Sequence, residues 1–240
     1  MSGWAEAFIH SSVRYRKGRL KGMVQFYQDV DLLKWEPVLF RDLALTSQRL
    51  CEGGDGVLSG TTFTSSSGDF TSRGVKAGHV IYLSDEEADL DGCYEVVSVD
   101  SATQLTVSVV RQSLEDDPIA PPSGSEISYR VSTFDPQAEE AAYSLLQYFG
   151  IEATDEEGGR ENEVLNSRAL RQTAVFAVLS LVFASSSGGN EDSEGFWKKS
   201  LRYQEMFNSA RVKVRLEIDT NQDAQAERFS SGGTVRLRRL

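Results

Sequence analysis

Hydrophobic positions change their period along the chain, and the changes divide it into segments. From Asp31 apolar residues fall at helical spacing. Leu39, Phe40, Leu43 and, at the far end, Leu50 form one stripe, and Pro37 can open the helix at its first turn, where a missing N–H costs nothing. Residues 53–72 then turn rich in Gly, Ser and Thr, which marks the entry to a β module. Short β-branched and aromatic runs follow, Val80 to Leu83, Tyr94 to Val99, Leu105 to Val110 and Ile127 to Thr133, separated by Gly, Asp and Ser. This is the pattern of a small antiparallel sandwich or barrel. Phe63 and Phe70 are its expected anchors, and the loop 100–104 reads as a hairpin connection. The last run alternates, with Ile127, Tyr129 and Val131 on one face and Ser128, Arg130 and Ser132 on the other.

Helical spacing returns at Asp135-Pro136. Asp135 can cap the first turn and Gly150 can end the helix after Ala141, Ala142, Leu145, Leu146 and Phe149. A second helix is expected from about Glu161 to Ala184. Its latter half, Ala174 to Ala184, is apolar on every side, so it must be buried all round. A chain this small has little to cover such a helix, so Val175, Val178, Leu179, Leu181 and Val182 are expected to pack against other subunits; the alternative is a central helix within one chain. A third helix carries Phe196, Trp197, Leu201, Tyr203, Phe207 and Ala210. After it, Val212, Val214, Leu216 and Ile218 alternate with Lys213, Arg215 and Glu217, which describes a strand with one wet face. Gly232-Gly233 then releases a basic tail that can add a strand to a partner, with Val235, Leu237 and Arg239 on one face and Arg236, Arg238 and Leu240 on the other.

The expected fold class is therefore α+β, a helical core with an inserted small antiparallel β sandwich or barrel and an extended C-terminal strand. The segments are an N-terminal basic arm and helices over 1–52, the β module over 53–134, the helical core over 135–211, and the strand and tail over 212–240.

Charge changes the picture in one respect. The net charge is −11, but residues 50–134 carry 14 acidic groups against 4 basic ones while residues 211–240 carry 7 basic against 4 acidic. Basic ends suit docking on acidic neighbours, and an acidic body suits repelling something anionic. Arg14, Arg16, Lys17, Arg19 and Lys21 form a basic cluster that could contact nucleic acid or an acidic neighbour. Ordinary composition argues against disorder. The longest apolar run is half a bilayer span and the N-terminus lacks a signal-peptide core, so no membrane partner is expected.

Candidate chemistry is sparse. Cys51 and Cys93 are the only cysteines, outside any Cys-x-x-Cys pair, which fits a reduced cytosolic history. With His10 and His79 they would all have to be recruited to make a tetrahedral zinc site. There is no phosphate loop, no His-Glu-x-x-His and no Gly-x-Ser-x-Gly. Asp219-Thr-Asn221-Gln-Asp223 matches the start of a calcium loop but departs from it at Ala224, where Gly is wanted, and at Ser230, where Glu is wanted. Neither a metal nor another cofactor is expected, and the protein does not read as an enzyme.

Residues 29–50 and 135–240, with their apolar central helix, aromatic third helix, Arg211-Val-Lys-Val-Arg-Leu-Glu-Ile-Asp219 strand and extended tail, resemble the head-to-tail adaptor proteins of tailed bacteriophages. The β insertion departs from the smaller, mostly helical adaptors, though it is similar to small β modules of phage structural proteins. The resemblance implies a virion protein made in the host cytoplasm. It would form a homo-oligomeric ring, a dodecamer, that docks on the portal and joins it to tail or neck proteins around viral DNA passing without sequence recognition. Val235, Arg236, Leu237, Arg238, Arg239 and Leu240 would then bind the portal or a neighbouring subunit, and some of Asp135, Glu139, Glu140, Asp155, Glu156 and Glu157 would face the channel. The rival readings are a host- or carbohydrate-binding β module on a helical oligomerisation stalk, using Tyr82, Tyr94 and Tyr129, a nucleic-acid binder using residues 14–21, and a hydrolase.

Overall fold

The computed structural model describes residues 26–43, 45–87, 89–151, 163–188, 193–221 and 223–232. Among them the fold is α+β. Two short helices, α1 (Asp29–Leu33) and α2 (Leu39–Asp42), precede six strands: β1 (Arg49–Ser59), β2 (Thr62–Ser65), β3 (Val80–Asp85), β4 (Leu90–Ser101), β5 (Gln104–Ser108) and β6 (Gly124–Ser132). These close into an antiparallel barrel in the order β1-β2-β5-β4-β3-β6, with β6 pairing back onto β1. Helices α3 (Asp135–Tyr148), α4 (Arg171–Ser186) and α5 (Ser193–Arg211) follow, and the hairpin β7 (Arg215–Ile218) and β8 (Arg228–Ser231) completes the described chain.

The barrel interior is made by the inward half of each alternating strand. Ile81, Leu83, Val96, Leu105, Val107, Ile127, Tyr129 and Val131 are buried there around an aromatic plug. Phe63, Phe70 and Tyr129 meet with ring centroids 5.2 to 6.2 Å apart at tilted or edge-on angles, the arrangement aromatic quadrupoles favour. The expected anchors and the alternation of Ile127, Tyr129 and Val131 are thus as the sequence implied.

The barrel starts earlier than expected. Strand β1 begins at Arg49, inside the segment read as N-terminal helices, and Leu50 packs against the barrel core instead of a helical stripe. The Gly-rich stretch taken as the entry to the module is itself strand. A Cβ on Gly53 would sit 2.6 Å from the Tyr129 ring, and one on Gly56 would meet the Phe63 ring and the Ile127 carbonyl at 2.8 Å. Glycine is there so that the backbone can pass the aromatic plug, the usual meaning of Gly within a strand.

Outward from the barrel, Val80 joins the helical core, and Cys93 packs against it. Beside Val80 in the sheet, Glu95 is buried and paired with buried Arg111, whose Nη2 and Nε lie 2.6 and 3.1 Å from the two carboxylate oxygens. The other guanidinium nitrogen donates to the Leu114 and Asp116 carbonyls. One buried ion pair therefore pins the acidic, Pro-rich loop to the barrel.

Helix α4 lies within a core built from α1, α2, α3, α5 and β7. Chain segments on both sides of the barrel supply that cover, so α4 is the central helix within one chain that stood as the alternative to packing against other subunits. Helix α3 ends as expected at Gly150 (φ 67°), with the Ile151 N–H returning to the Leu146 carbonyl. Its start differs from expectation, because Phe134 occupies the cap position and Asp135 the first turn. The expected strand is shorter: Leu216 and Ile218 are buried in β7, while Val212 is exposed. Phe229 to Ser231, just before the expected Gly232-Gly233 hinge, lies in strand β8 paired with β7.

Candidate functional site

Helix α5 packs on α4 through Phe196, Ser200, Tyr203, Phe207 and Ala210, a four-three spacing that keeps one seam facing its neighbour. The Phe183 ring lies stacked with Phe196 and Tyr203, both centroids at 5.9 Å, and the Lys199 ammonium sits 4.9 Å over it. Lys199 and the Tyr203 hydroxyl both donate to Glu36 at 2.7 Å, tying the end of the α1 region to α5. Burial and that carboxylate push the Tyr203 hydroxyl well above its ordinary pKa, so it stays a donor.

Of the five residues expected to pack between subunits, Val175, Val178, Leu179 and Val182 are buried inside the chain, and only Leu181 is exposed, at 38%. Their burial is already complete within the chain, so they offer no surface to another copy. The apolar side chains left in solvent near them are different ones. Trp197 and Leu201, one helical turn apart on α5, are 50% and 42% exposed. Trp35 is also exposed and packs edge-on against Phe176 at 4.7 Å. It borders an open groove of about 480 Å³ lined by Phe176, Met206 and Val214 and rimmed by Lys213 and Arg215. Ser167–Ser186, including the 3-10 turn Ser167–Leu170, is long and apolar enough by composition to cross a bilayer, yet most of it is buried in this fold. The expectation of only half a span is corrected on length, because the helical stretch extends beyond the apolar run.

The tyrosines proposed for a sugar-binding face do not share one. Tyr129 is inside the barrel, with its hydroxyl 2.9 Å from Ser65 Oγ. Tyr82 lies beneath the Arg130 guanidinium at 5.0 Å and donates to Asp91. The Ser-rich segment is ordered by Asp55, whose carboxylate accepts the hydroxyls of Ser65, Ser66 and Ser67 and the Ser67 N–H. Those hydrogen bonds hold its carboxyl well below the usual carboxylate range.

The calcium-like loop is organised by its own carboxylates. Asp219 accepts the N–H groups of Asn221, Asp223 and Ala224, and Glu227 accepts the Thr220 N–H and hydroxyl. Ala224 takes φ 65°, the left-handed conformation for which calcium loops use Gly. Carboxylate oxygens of Asp219, Asp223 and Glu227 lie within 4.8 Å of one another, so Glu227, rather than the Ser230 position, is the residue the loop brings in. Ser230 instead donates to the Phe149 carbonyl. Glu227 is the ninth position counted from Asp219, where calcium loops place a ligand that often acts through water, and the departures at Ala224 and Ser230 masked that match.

A second cluster was not foreseen. Asp29, His79 and Asp135, from α1, the foot of β3 and α3, place carboxylate and imidazole atoms within 4.8 Å of one another. Asp29 and His79 are buried, and Asp135 also contacts Lys76 at 3.4 Å. Burial pushes the Cys51 and Cys93 thiols up to about 11, against the thiolate form that a nucleophile or metal ligand needs. Glu139 and Glu140 are exposed on α3, while Asp135 lies largely within the barrel contact. Residues 14–21, Asp155, Glu156, Glu157 and 235–240 lie outside the described residues.

No family model matches the chain, no curated protein matches it, and no solved structure matches it.

Proposed function

We propose that the protein is a structural virion component, a head-to-tail adaptor whose copies form a ring that docks on the portal and joins it to tail or neck proteins around the DNA channel. The observation that carries this reading is the exposed α5 stripe of Trp197 and Leu201, beside an α4 core that the chain has already covered itself. Aromatic and leucine side chains in solvent next to a complete core suit burial against another copy. The resemblance of residues 29–50 and 135–240 to phage adaptors supplies the assembly. In it the barrel is an insertion carried between α2 and α3.

The C-terminal segment serves as the docking arm. It follows Gly232, which lies so close to Tyr148 that no side chain fits there. Val235, Leu237 and Arg239 alternate with Arg236, Arg238 and Leu240, so backbone pairing to a strand edge would supply affinity and the arginines would meet acidic groups of the portal or an adjacent subunit. Viral DNA passes the acidic body without being gripped. This role involves no catalytic step and no cofactor.

Negative-stain imaging and sedimentation of the purified full chain, alone and with its portal, test the reading. Rings that dissociate in Trp197→Asp/Leu201→Asp, with the circular dichroism spectrum retained, are the expected result. A monomer at every concentration, with no binding to portal, overturns it.

A further inference from the structure

The contact between barrel and helices turns on one dry cluster. Asp29, in the first turn of α1, is fully buried, and its two oxygens accept the Phe134 N–H at the start of α3 at 3.2 and 3.4 Å. Thr133 adds a hydroxyl donor. His79 and Asp135 complete the group, with His79 Nε2 3.8 Å from Asp135 Oδ2. Beside them the Tyr27 hydroxyl is buried without a hydrogen-bond partner among the described residues, in the field of Asp29, Asp135 and Asp31. The same residues join the units: the Val30 N–H donates to the Gly78 carbonyl at 3.0 Å, and the Gly78 N–H donates to Val96 in β4 at 2.8 Å.

Two carboxylates this close, with Asp29 out of water and Asp135 at the rim, disfavour being ionised together. Among the described residues, the cations near the cluster are engaged elsewhere or reach only its rim. Lys76 reaches only Asp135, at the rim, and Arg171 and Lys34 are engaged with Asp31. The His79 Nδ1 accepts the Lys76 N–H at 3.2 Å, which turns Nε2 toward Asp135. With Nδ1 accepting, the N–H of a neutral ring is on Nε2. The same tautomer counts against a cation in the cluster, since ligation at Nε2 would move the ring proton onto Nδ1. Burial makes Asp29 the group that takes the proton. Burial first, with Asp135 adding to it, pushes its carboxyl up to about 7 against the hydrogen bonds from Thr133 and Phe134.

We propose that this joint is a proton-dependent latch, in which neutral Asp29 holds α1 and α3 against the barrel and loss of its proton loosens the contact between Val30 and Gly78. The latch does not depend on the adaptor reading. When the joint opens, Asp29 meets water and returns to an ordinary carboxylate, so the closed form binds the proton more tightly than the open one. Opening is therefore suppressed at low pH, grows as pH rises from the ordinary carboxylate range to about 7, and levels off above it.

Hydrogen exchange at the Val30 and Gly78 amides of the full chain, corrected for intrinsic rates, reads the opening directly. The expected result is an opening constant that rises up to about tenfold per pH unit between about 4.5 and 6.5 and flattens above about 7.5, with the rise absent in Asp29→Asn. A flat wild-type profile, or an equal rise in Asp29→Asn, overturns the proposal. Should Asp29→Asn fail to fold, the carboxyl carbon of Asp29 is titrated by NMR in the wild type, where a midpoint near 7 supports the latch and one near 4 overturns it. Zinc or manganese ions added at pH 8 are the remaining arm: protection of these amides by the metal alone, lost in Asp29→Asn, would overturn the proton in favour of a metal.

Discussion

In the barrel, every strand comes from residues 49–132 and the sheet closes on itself, so no described strand edge is left over and the Phe63, Phe70 and Tyr129 plug fills the interior. The helical body is assembled from segments on either side of that insertion, Phe26 to Leu43 and Phe134 to Ile218, and it leaves Trp35, Trp197, Leu201 and Leu181 in solvent. The difference lies in topology. Closure removes edges and gives each inward side chain a partner, whereas helices packed around α4 complete one buried column and still present outer faces. Exposed apolar residues remain on both, Val57, Val109, Leu114 and Ile119 in the barrel segment, but those of the body include the large Trp35 and Trp197.

Charge placed in the two settings should separate them most. Val178→Asp puts an unpaired carboxylate at a fully buried position of α4 and should cost more than about 4 kcal/mol, unfolding the body. Leu181→Asp, three residues on but exposed, should change the stability of an isolated subunit by only about 0.5 kcal/mol while weakening association. Denaturant titration paired with sedimentation distinguishes the outcomes, and equal losses from both substitutions would show that Leu181 is core.

Within the barrel, Phe63→Ala should cost about 3–5 kcal/mol by opening a cavity among Phe70, Tyr129 and the strands. Arg111→Met strands a buried Glu95 and should cost about 3 kcal/mol or more, with proteolysis first appearing in the loop held through Leu114 and Asp116. If that loop stays protected, the ion pair is not what fixes it. The smallest effect is chemical: with both thiols pushed up to about 11, alkylation of Cys51 and Cys93 at pH 8 should run far slower than that of a free cysteine. Since the thiolate is the reactive form, the rates should climb as pH is raised toward that value.

Much of the architecture was legible because it is local. The period-two run from Ile127 to Val131, the Asp135-Pro136 start and Gly150 stop of α3, and the spacing of Phe196, Tyr203 and Phe207 each depend on neighbours within a few residues. The misread parts depend on distance. Gly53 and Gly56 marked only the entry to the β module, because their reason for being glycine, the rings of Tyr129 and Phe63, comes from other strands. The cover over Val178 and Val182 was sought in other subunits because α1, α2 and α3 converge on α4 only after the barrel has been looped out between them. Glu95 within a strand run and Arg111 just beyond the next run were a faint signal of the buried pair. Asp29, His79 and Asp135 share no spacing that sequence could have shown.

The sequence by itself determined the α+β class, the inward and outward faces of the barrel strands, the apolar character of α4 and the scarcity of nucleophiles and ligands, since each follows from residue type and short-range period. Closure of the barrel, the burial of α4 within one chain and the meeting of two carboxylates and a histidine at the joint were decided only by tertiary structure. They depend on which distant backbones pass within a few ångströms of one another, and on how much water that approach expels.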